Sequence, residues 1–420
     1  MTNRTQWIIT ALTTIIVLIL VDVWVGRYFA GPAPFKSNYR FGYKLTSVDF
    51  DRQYKAIKNS PGFRVAVVGD SVIRGAAVPT GESTIPGYLQ KRINSDPVLR
   101  SRNIRVFNFG IGGAREADKY AVVKKLAENH AADLIIMNVS YPFFSEEINK
   151  NPIMFPQVYP NMFSSQERKE LRIANITNQT ANEAEQDTKV TQVQPTKKTG
   201  TENTKGIEGW LTTNLLNHWN LYRYRQEINT YLFGGHPADI LLQHMEELLG
   251  KPLTKSKQEQ AAVSPDELAP AGTVTAPKDR PENMYKPYTE FPWGKAEVEH
   301  LQKVFSVKPL NEENIAYRYL DKSLNLIEEK DTPAIVFLSP VNQTLLDKYK
   351  ALPHSEWRAN SKRLQDLCEE HGLDCLDMQN TMQPWYFHDS VHLIDNGNEA
   401  LANQLFETRR TQLIELTGGS

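Results

Sequence analysis

Apolar residues in this chain gather into short runs, and longer stretches with helical spacing lie between them. The first run, Val65–Val68, is followed by Arg105–Phe109, Leu134–Val139, Ala334–Leu338 and Leu373–Met378. Short, largely apolar runs of this kind predict strands buried on both faces. Between them, Tyr88, Leu89 and Ile93 recur at helical intervals within 86–93. Ala117, Tyr120, Ala121, Val123 and Leu126 do the same within 115–128, and 355–370 and 399–406 also read as helical. Strands alternating with helices predict an α/β domain built on a parallel sheet.

That rhythm lapses between Tyr141 and about Asn311. Residues 175–205 are rich in Thr, Asn, Gln, Glu and Lys, and 251–280 are similar, which predicts disorder in both. Between them, Leu215, Trp219, Tyr222, Leu241, Leu242 and Met245 predict a helical insert over 210–249, either a lid on the site or packing on its flank. Asn175-Ile176-Thr177 and Asn178-Gln179-Thr180 match the glycosylation acceptor pattern, which a Thr/Asn-rich segment supplies by chance.

The N-terminus carries the longest apolar stretch. Trp7 to Val25 is broken only by threonines and by Asp22 near one end, and its length suits a helix crossing a bilayer. A cleaved leader is the competing reading, but the run is long for one and Tyr28-Phe29-Ala30-Gly31-Pro32 is a poor cleavage site. Arg4 precedes the span, whereas Arg27, Lys36, Arg40 and Lys44 follow it, so basic residues alone do not favour a cytoplasmic N-terminus. The chemistry described below places the body outside the cytoplasm. The expected organisation is an anchor over 1–30, a linker over 31–62, a core in two parts, 63–145 and 311–420, and an insertion over 146–310.

Composition narrows the function classes. A formal net charge of -1 gives no reason to expect a nucleic-acid partner. Two cysteines, Cys368 and Cys375, exclude a disulfide scaffold and a four-thiolate zinc site. They fit either one small-loop disulfide or two buried thiols.

Candidate chemistry begins where the first strand ends, at Gly69-Asp70-Ser71. In an open α/β sheet, ligands bind beyond the carboxyl ends of the strands, so Ser71 is presented to a cleft. A serine hydroxyl is a weak nucleophile until a base takes its proton. His388-Asp389-Ser390-Val391-His392 follows the last strand and supplies His392 as base and Asp389 as orienting carboxylate. Three residues separate the two, so one turn can hold both on one side. His388, adjacent to Asp389, is the weaker candidate for the base. A developing oxyanion needs fixed donors. The Ser71 backbone N–H offers one, and the loop Asn108-Phe109-Gly110-Ile111-Gly112-Gly113 offers another at Gly113. The glycine spacing departs from a dinucleotide fingerprint.

These blocks, in this order and context, resemble the GDSL/SGNH hydrolase family over roughly 63–145 and 310–410. The resemblance implies a flavodoxin-like doubly wound parallel sheet and ester chemistry without a cofactor or metal. Its roles fall on Ser71 as nucleophile, His392 as base, Asp389 as acid and Gly113 as oxyanion donor. The family's third block is Gly-x-Asn-Asp, with the Asn as a further donor. Here the strand ends Asn138-Val139-Ser140, so Asn138, the candidate for that role, comes about two positions early, and Ser140 is the alternative occupant of the expected place.

With an anchor, the chain is similar to membrane-tethered members that act on acyl groups of envelope glycans. The expected function is a single-pass esterase or O-acyltransferase of the cytoplasmic membrane, facing outwards. It would act on acylated glycan, with acetyl as the expected acyl group, beside a multispanning O-acyltransferase. The alternative is a catalytically weak binding or assembly protein for the polymer or for that acyltransferase. Metal-dependent hydrolysis ranks third, since no His/carboxylate cluster stands out beyond Asp389 and His392.

Overall fold

Residues 3–30, 39–42, 45–159, 162–173, 219 and 293–418 are described by a computed structural model of the chain. The two stretches expected to be disordered, the helical insert apart from Trp219, and both glycosylation motifs lie outside the described residues. Among the described residues, α1, 168–173 and Trp219 belong to one compact unit, and 39–167 with 293–418 belong to another.

Five parallel strands make one sheet in the order β2-β1-β3-β4-β5. They are β1 (Phe63–Gly69), β2 (Ile104–Gly110), β3 (Leu134–Val139), β4 (Ala334–Leu338) and β5 (Cys375–Asp377). This order is that of a flavodoxin-like fold, whose ligand crevice opens beside the first strand. In the register, Val67 stands between Asn108 and Ile136, and Phe337 stands between Asn138 and Leu376. Alternate residues, Val65, Val67, Val106, Ile136, Ile335 and Phe337, share one buried cluster with residues of the covering helices. The intervening Ala66, Val68, Phe107, Met137, Val336 and Leu338 are buried too. Burial on both faces explains why the runs are continuous and do not alternate with polar residues.

In chain order, α1 (Asn3–Ala30) is a 28-residue helix. Its described side chains include Leu12, Val17, Leu20 and Trp24, all large, apolar and exposed. Among the described residues, no helix is long and apolar enough to cross a membrane. The expected linker contains a helix, α2 (Ser47–Lys58), which begins at a reciprocal cap. Thr46 Oγ1 accepts from the Asp49 N–H at 3.2 Å, and Asp49 Oδ2 accepts from the Thr46 N–H at 3.2 Å. Phe50, Tyr54 and Ile57 bury one side of α2, and Phe50 meets Phe109 and Tyr159 edge to face.

Next come α3 (Ser71–Arg74), α4 (Ile85–Ser95) and α5 (Glu116–Ala127), followed by α6 (Glu146–Asn149) and α7 (Ser165–Glu170). Beyond the undescribed insert lie α8 (Lys295–Phe305), α9 (Ile315–Glu329), α10 (Gln343–Lys348), α11 (His354–Glu370) and α12 (Asp395–Gly418). α4 packs against α12, and α5 packs against α9. Leu89, Ile93, Leu401 and Leu405 bring α4 and α12 into the buried cluster of the sheet. Cys368 and Cys375 are free thiols.

Two glycines fix how closely β1, β2 and α3 approach. A methyl group on Gly110 would stand 2.2 Å from the Arg74 backbone nitrogen, and one on Gly69 would stand 2.2 Å from Asn138 Oδ1. At Gly112 the nearest atom is Arg74 Cδ at 3.3 Å, the middle of a flexible side chain. Gly110→Ala is therefore expected to lower stability by about 1–3 kcal/mol, because backbone must move to admit the methyl. Gly112→Ala is expected to stay within about 0.5 kcal/mol. Urea unfolding of the two variants checks the contrast, and equal losses would contradict it.

Candidate active site

β1 delivers Ser71 to the carboxyl edge of the sheet. Asp70 caps α3, its Oδ1 accepting from the Val72 N–H at 2.8 Å. Gly75, with φ of 75°, ends the helix one turn later. The hydroxyl-bearing turn is thus held at both ends.

His392 arrives on a compact turn after β5. Phe387 and Leu393, both buried, bridge antiparallel, and the His388 N–H donates to the His392 carbonyl at 2.8 Å. Within the turn, Asp389 Oδ1 accepts from the N–H groups of Val391, at 2.9 Å, and His392, at 2.8 Å. Its other oxygen lies 2.6 Å from His392 Nδ1, and His392 Nε2 lies 2.7 Å from Ser71 Oγ. A carboxylate on Nδ1 fixes the tautomer: Nδ1–H donates to Asp389, which leaves Nε2 to accept from the serine hydroxyl. Residues 321 positions apart in sequence are thereby in hydrogen-bond contact.

Electrostatics support that proton path. Burial alone would lower the imidazole pKa, but the Asp389 charge and hydrogen bond, with the Asp70 charge behind them, raise it above its ordinary 6.5. For Asp389, burial works upward, and the charge and hydrogen bonds of His392 outweigh it, leaving the carboxyl below its ordinary range. The side chains remain partly open, at 24% for His392 and 28% for Asp389, so a substrate can reach them.

Beneath the serine lies a buried polar network. Asp70 Oδ2 accepts from Ser140 Oγ at 2.6 Å and Asn138 Nδ2 at 2.9 Å. The Asn138 amide also donates to Ser339 Oγ at 2.9 Å, and its oxygen accepts from the Asp70 N–H at 3.3 Å. Lys119 Nζ donates to the Asn138 carbonyl at 2.8 Å, pairs with Glu116 at 2.6 Å and stands 4.0 Å from Asp70. Burial pushes the Glu116 carboxyl up to about 7 and that of Asp118 up to about 6. Asn138 was expected as an oxyanion donor. Its amide hydrogens are instead directed to Asp70 and the neighbouring hydroxyls, and the residue is fully buried. It braces the nucleophile turn from below.

Gly113 sits at φ 84°, a backbone conformation suited to glycine, in the loop between β2 and α5. The Ile111 N–H donates to the Gly69 carbonyl at 2.9 Å, which ties this loop to the strand end carrying Ser71. Arg115 follows, its guanidinium 5.0 Å from the centre of the Phe143 ring, and burial lowers its pKa.

Ser339, Lys119 and Arg115 have no role in the sequence reading, whereas Ser140 stands there at the place expected of the third-block Asn. Lys119 left one usable signal: it falls four residues before Val123, on the apolar side of its helix. Ser339 left none, because it meets Asn138 and Ser140 only when β3 and β4 align. Among the described residues, no group of three or more His, Cys, Asp or Glu side chains is placed to hold a metal ion.

Residues 97–405 match a family model described as DltD protein. A comparison with curated proteins found no match.

Labelling of Ser71 by a fluorophosphonate requires neutral His392, so its rate is expected to rise with pH through a midpoint above 6.5. Asp389→Asn removes the charge that raises the imidazole pKa, so the midpoint should fall and the rate drop by about 10⁴. A pH profile with the same midpoint in both proteins would contradict the assignment. Asn138→Ala strips a donor from a buried carboxylate and is expected to cost about 1.5–3 kcal/mol in chemical unfolding; no loss would contradict its bracing role.

Proposed function

The chain belongs to the DltD family, and from that premise and the Ser71–His392 contact we propose a cell-envelope serine esterase or acyltransferase that carries an acyl group on Ser71. DltD proteins take part in D-alanine esterification of teichoic acids and lie in the SGNH-like hydrolase superfamily. The acyl group of the proposal is accordingly D-alanyl, in place of the acetyl group expected from sequence.

The steps follow from the positions of the side chains. Ser71 Oγ attacks the ester carbonyl while His392 Nε2 takes its proton. The charge gathers on the carbonyl oxygen, which the N–H groups of Ser71 and Gly113 receive. When the tetrahedral intermediate collapses, the ester C–O bond breaks and His392 returns the proton to the leaving oxygen. An acceptor hydroxyl then gives its proton to His392 as it attacks acyl-Ser71; the acyl–Oγ bond breaks and His392 returns the proton to Ser71 Oγ. A glycan or polyol hydroxyl makes this step a transfer, and water makes it hydrolysis. Asp389 stays ionised throughout and stabilises the imidazolium.

The same reading holds that the protein works at the outer face of the cytoplasmic membrane. The exposed apolar side chains of α1 and the envelope role of the family support this. A multispanning membrane acyltransferase is the proposed source of acyl groups. The turned-in Asn138 amide favours one second reading, a catalytically weak assembly protein that grips the polymer.

The observation that carries the proposal is the 2.7 Å contact between Ser71 and His392, with Asp389 on the far side of the ring. The full chain in detergent, given D-alanylated teichoic acid, is expected to release or transfer D-alanine. Ser71→Ala should lower that rate by about 10³-fold or more. Equal rates in the two proteins would refute the nucleophile. Polymer binding without turnover in the unaltered protein would favour the assembly reading.

A further inference from the structure

The two cysteines lie on facing elements at the amino end of β5, the end of the sheet away from Ser71. Side chains alternate along a strand. Leu376 and Met378 join the buried cluster on one face of the sheet. Cys375, Asp377 and Gln379 therefore point to the other face, where α11 packs against β5.

Two side-chain hydrogen bonds fix the register between α11 and this edge of the sheet. Ser361 Oγ donates to Gln379 Oε1 at 2.6 Å, and Gln365 Nε2 donates to Asp377 Oδ2 at 3.2 Å. The helix thus runs antiparallel to the strand, and one helical turn matches two strand residues. The steps agree: about 5.4 Å for the turn and about 6.6 Å for the strand. The next rung sets Cys375 against the turn at 368–369. Glu369 is exposed there, whereas Cys368 is fully buried. The rung is therefore Cys368 with Cys375.

The connection between them is short and already closed by backbone. The Gly372 N–H donates to the Glu369 carbonyl at 2.9 Å, and the Leu373 N–H donates to the Cys368 carbonyl at 2.9 Å. Gly372, at φ 69°, completes this helix cap and turns the chain back beneath α11. The thiols also act on one another. Hydrogen bonding with Cys368, and then burial, holds the Cys375 thiol well above its ordinary range. A thiol that resists ionisation attacks slowly and leaves slowly, which suits a lasting bond better than rapid exchange.

We propose that Cys368 and Cys375 are a disulfide-forming pair, joined by a thiol–disulfide oxidant into a staple between α11 and β5. The Cys375 thiolate attacks one sulfur of the oxidant's disulfide, which displaces one thiolate and leaves a mixed disulfide. The Cys368 thiolate then attacks Cys375 Sγ and displaces the second. Two electrons leave the protein thiols, and their two protons end on the two thiols made from the oxidant. The inference rests on the proposed function only for the source of that oxidant, since the outer face of the cytoplasmic membrane is the oxidising side.

The staple holds a strand that has a neighbour on one side only. From β5 the chain runs to Gln379, whose carbonyl accepts from the Val341 N–H at 3.1 Å. The next residue, Asn342, reaches the Ser390 carbonyl at 2.9 Å and the Asp389 carbonyl at 3.2 Å. The edge strand so fixed is the one from which the turn carrying His392 departs.

The test equilibrates the full chain, in detergent, with glutathione buffers of graded oxidised-to-reduced ratio. Samples are acid-quenched, alkylated after unfolding and weighed intact. The oxidised chain is expected to be about 2 Da lighter and to take no alkyl group, whereas the reduced chain takes two. Cleavage after Glu369 and Glu370 should leave two peptides joined by the new bond. The oxidised form should melt about 5 °C above the reduced form. Cys375→Ser should melt at one temperature in all the buffers. Cys375 is only part-buried, so this variant serves as the control even where Cys368→Ser does not fold. Two alkylated thiols at every ratio would overturn the pair. So would glutathione left on either cysteine, disulfide-linked dimers, or equal melting temperatures of the oxidised and reduced forms. These readouts concern the purified chain alone, so they neither depend on the side of the membrane nor bear on Ser71.

Discussion

A buried carboxylate, Asp70, is the constraint on which the carboxyl edge of the sheet depends. It caps the turn that presents Ser71, and it takes hydrogen bonds from Ser140 and from the Asn138 amide. That amide donates in turn to Ser339. Three adjacent strands, β1, β3 and β4, are thus joined at their carboxyl ends by one set of polar bonds. Asp70 is fully buried, so these bonds cannot be exchanged for water without exposing the sheet edge. Lys119 supplies the nearest positive charge and is anchored by Glu116 and by the Asn138 carbonyl.

The arrangement divides labour between buried and accessible charge. Asp70 and Lys119 are closed off and hold geometry, whereas Asp389 and His392 lie on a partly open turn where substrate can approach. The Asp70 charge still reaches His392 and adds to the rise of its pKa. A structural carboxylate therefore also helps to tune the proposed base. The turn that carries His392 is fixed by Asp389, whose one oxygen organises backbone while the other orients the ring. One residue thus serves both fold and chemistry.

Much of this was legible in sequence because it is local. All five strands lie within two residues of their apolar runs at either end, since burial leaves a continuous signature. Ser71 was placed by the strand end before it, and Asp389 with His392 by their spacing within one turn. What sequence hid is long-range or ambiguous. α2 reads as linker in sequence although Phe50, Tyr54 and Ile57 follow helical spacing, because the prolines, glycine and scattered polar residues of 31–60 blur the period. β5 came out shorter than its run, as the chain leaves the sheet at Asp377. Asn138 looked like an oxyanion donor because a motif assigns a role to a residue type without showing which way its amide faces. Only the alignment of β1, β3 and β4 turns that amide towards Asp70.

The central claim is that the Ser71 hydroxyl carries the acyl group. Acid-quenched intact-protein mass spectrometry, taken while the full chain turns over a D-alanyl ester, tests it most directly. The account predicts a covalent D-alanyl adduct that maps to the peptide containing Ser71, is absent from Ser71→Ala, and accumulates when the acceptor is withheld. Turnover at an undiminished rate in Ser71→Ala, or an adduct that maps to another residue, would contradict it.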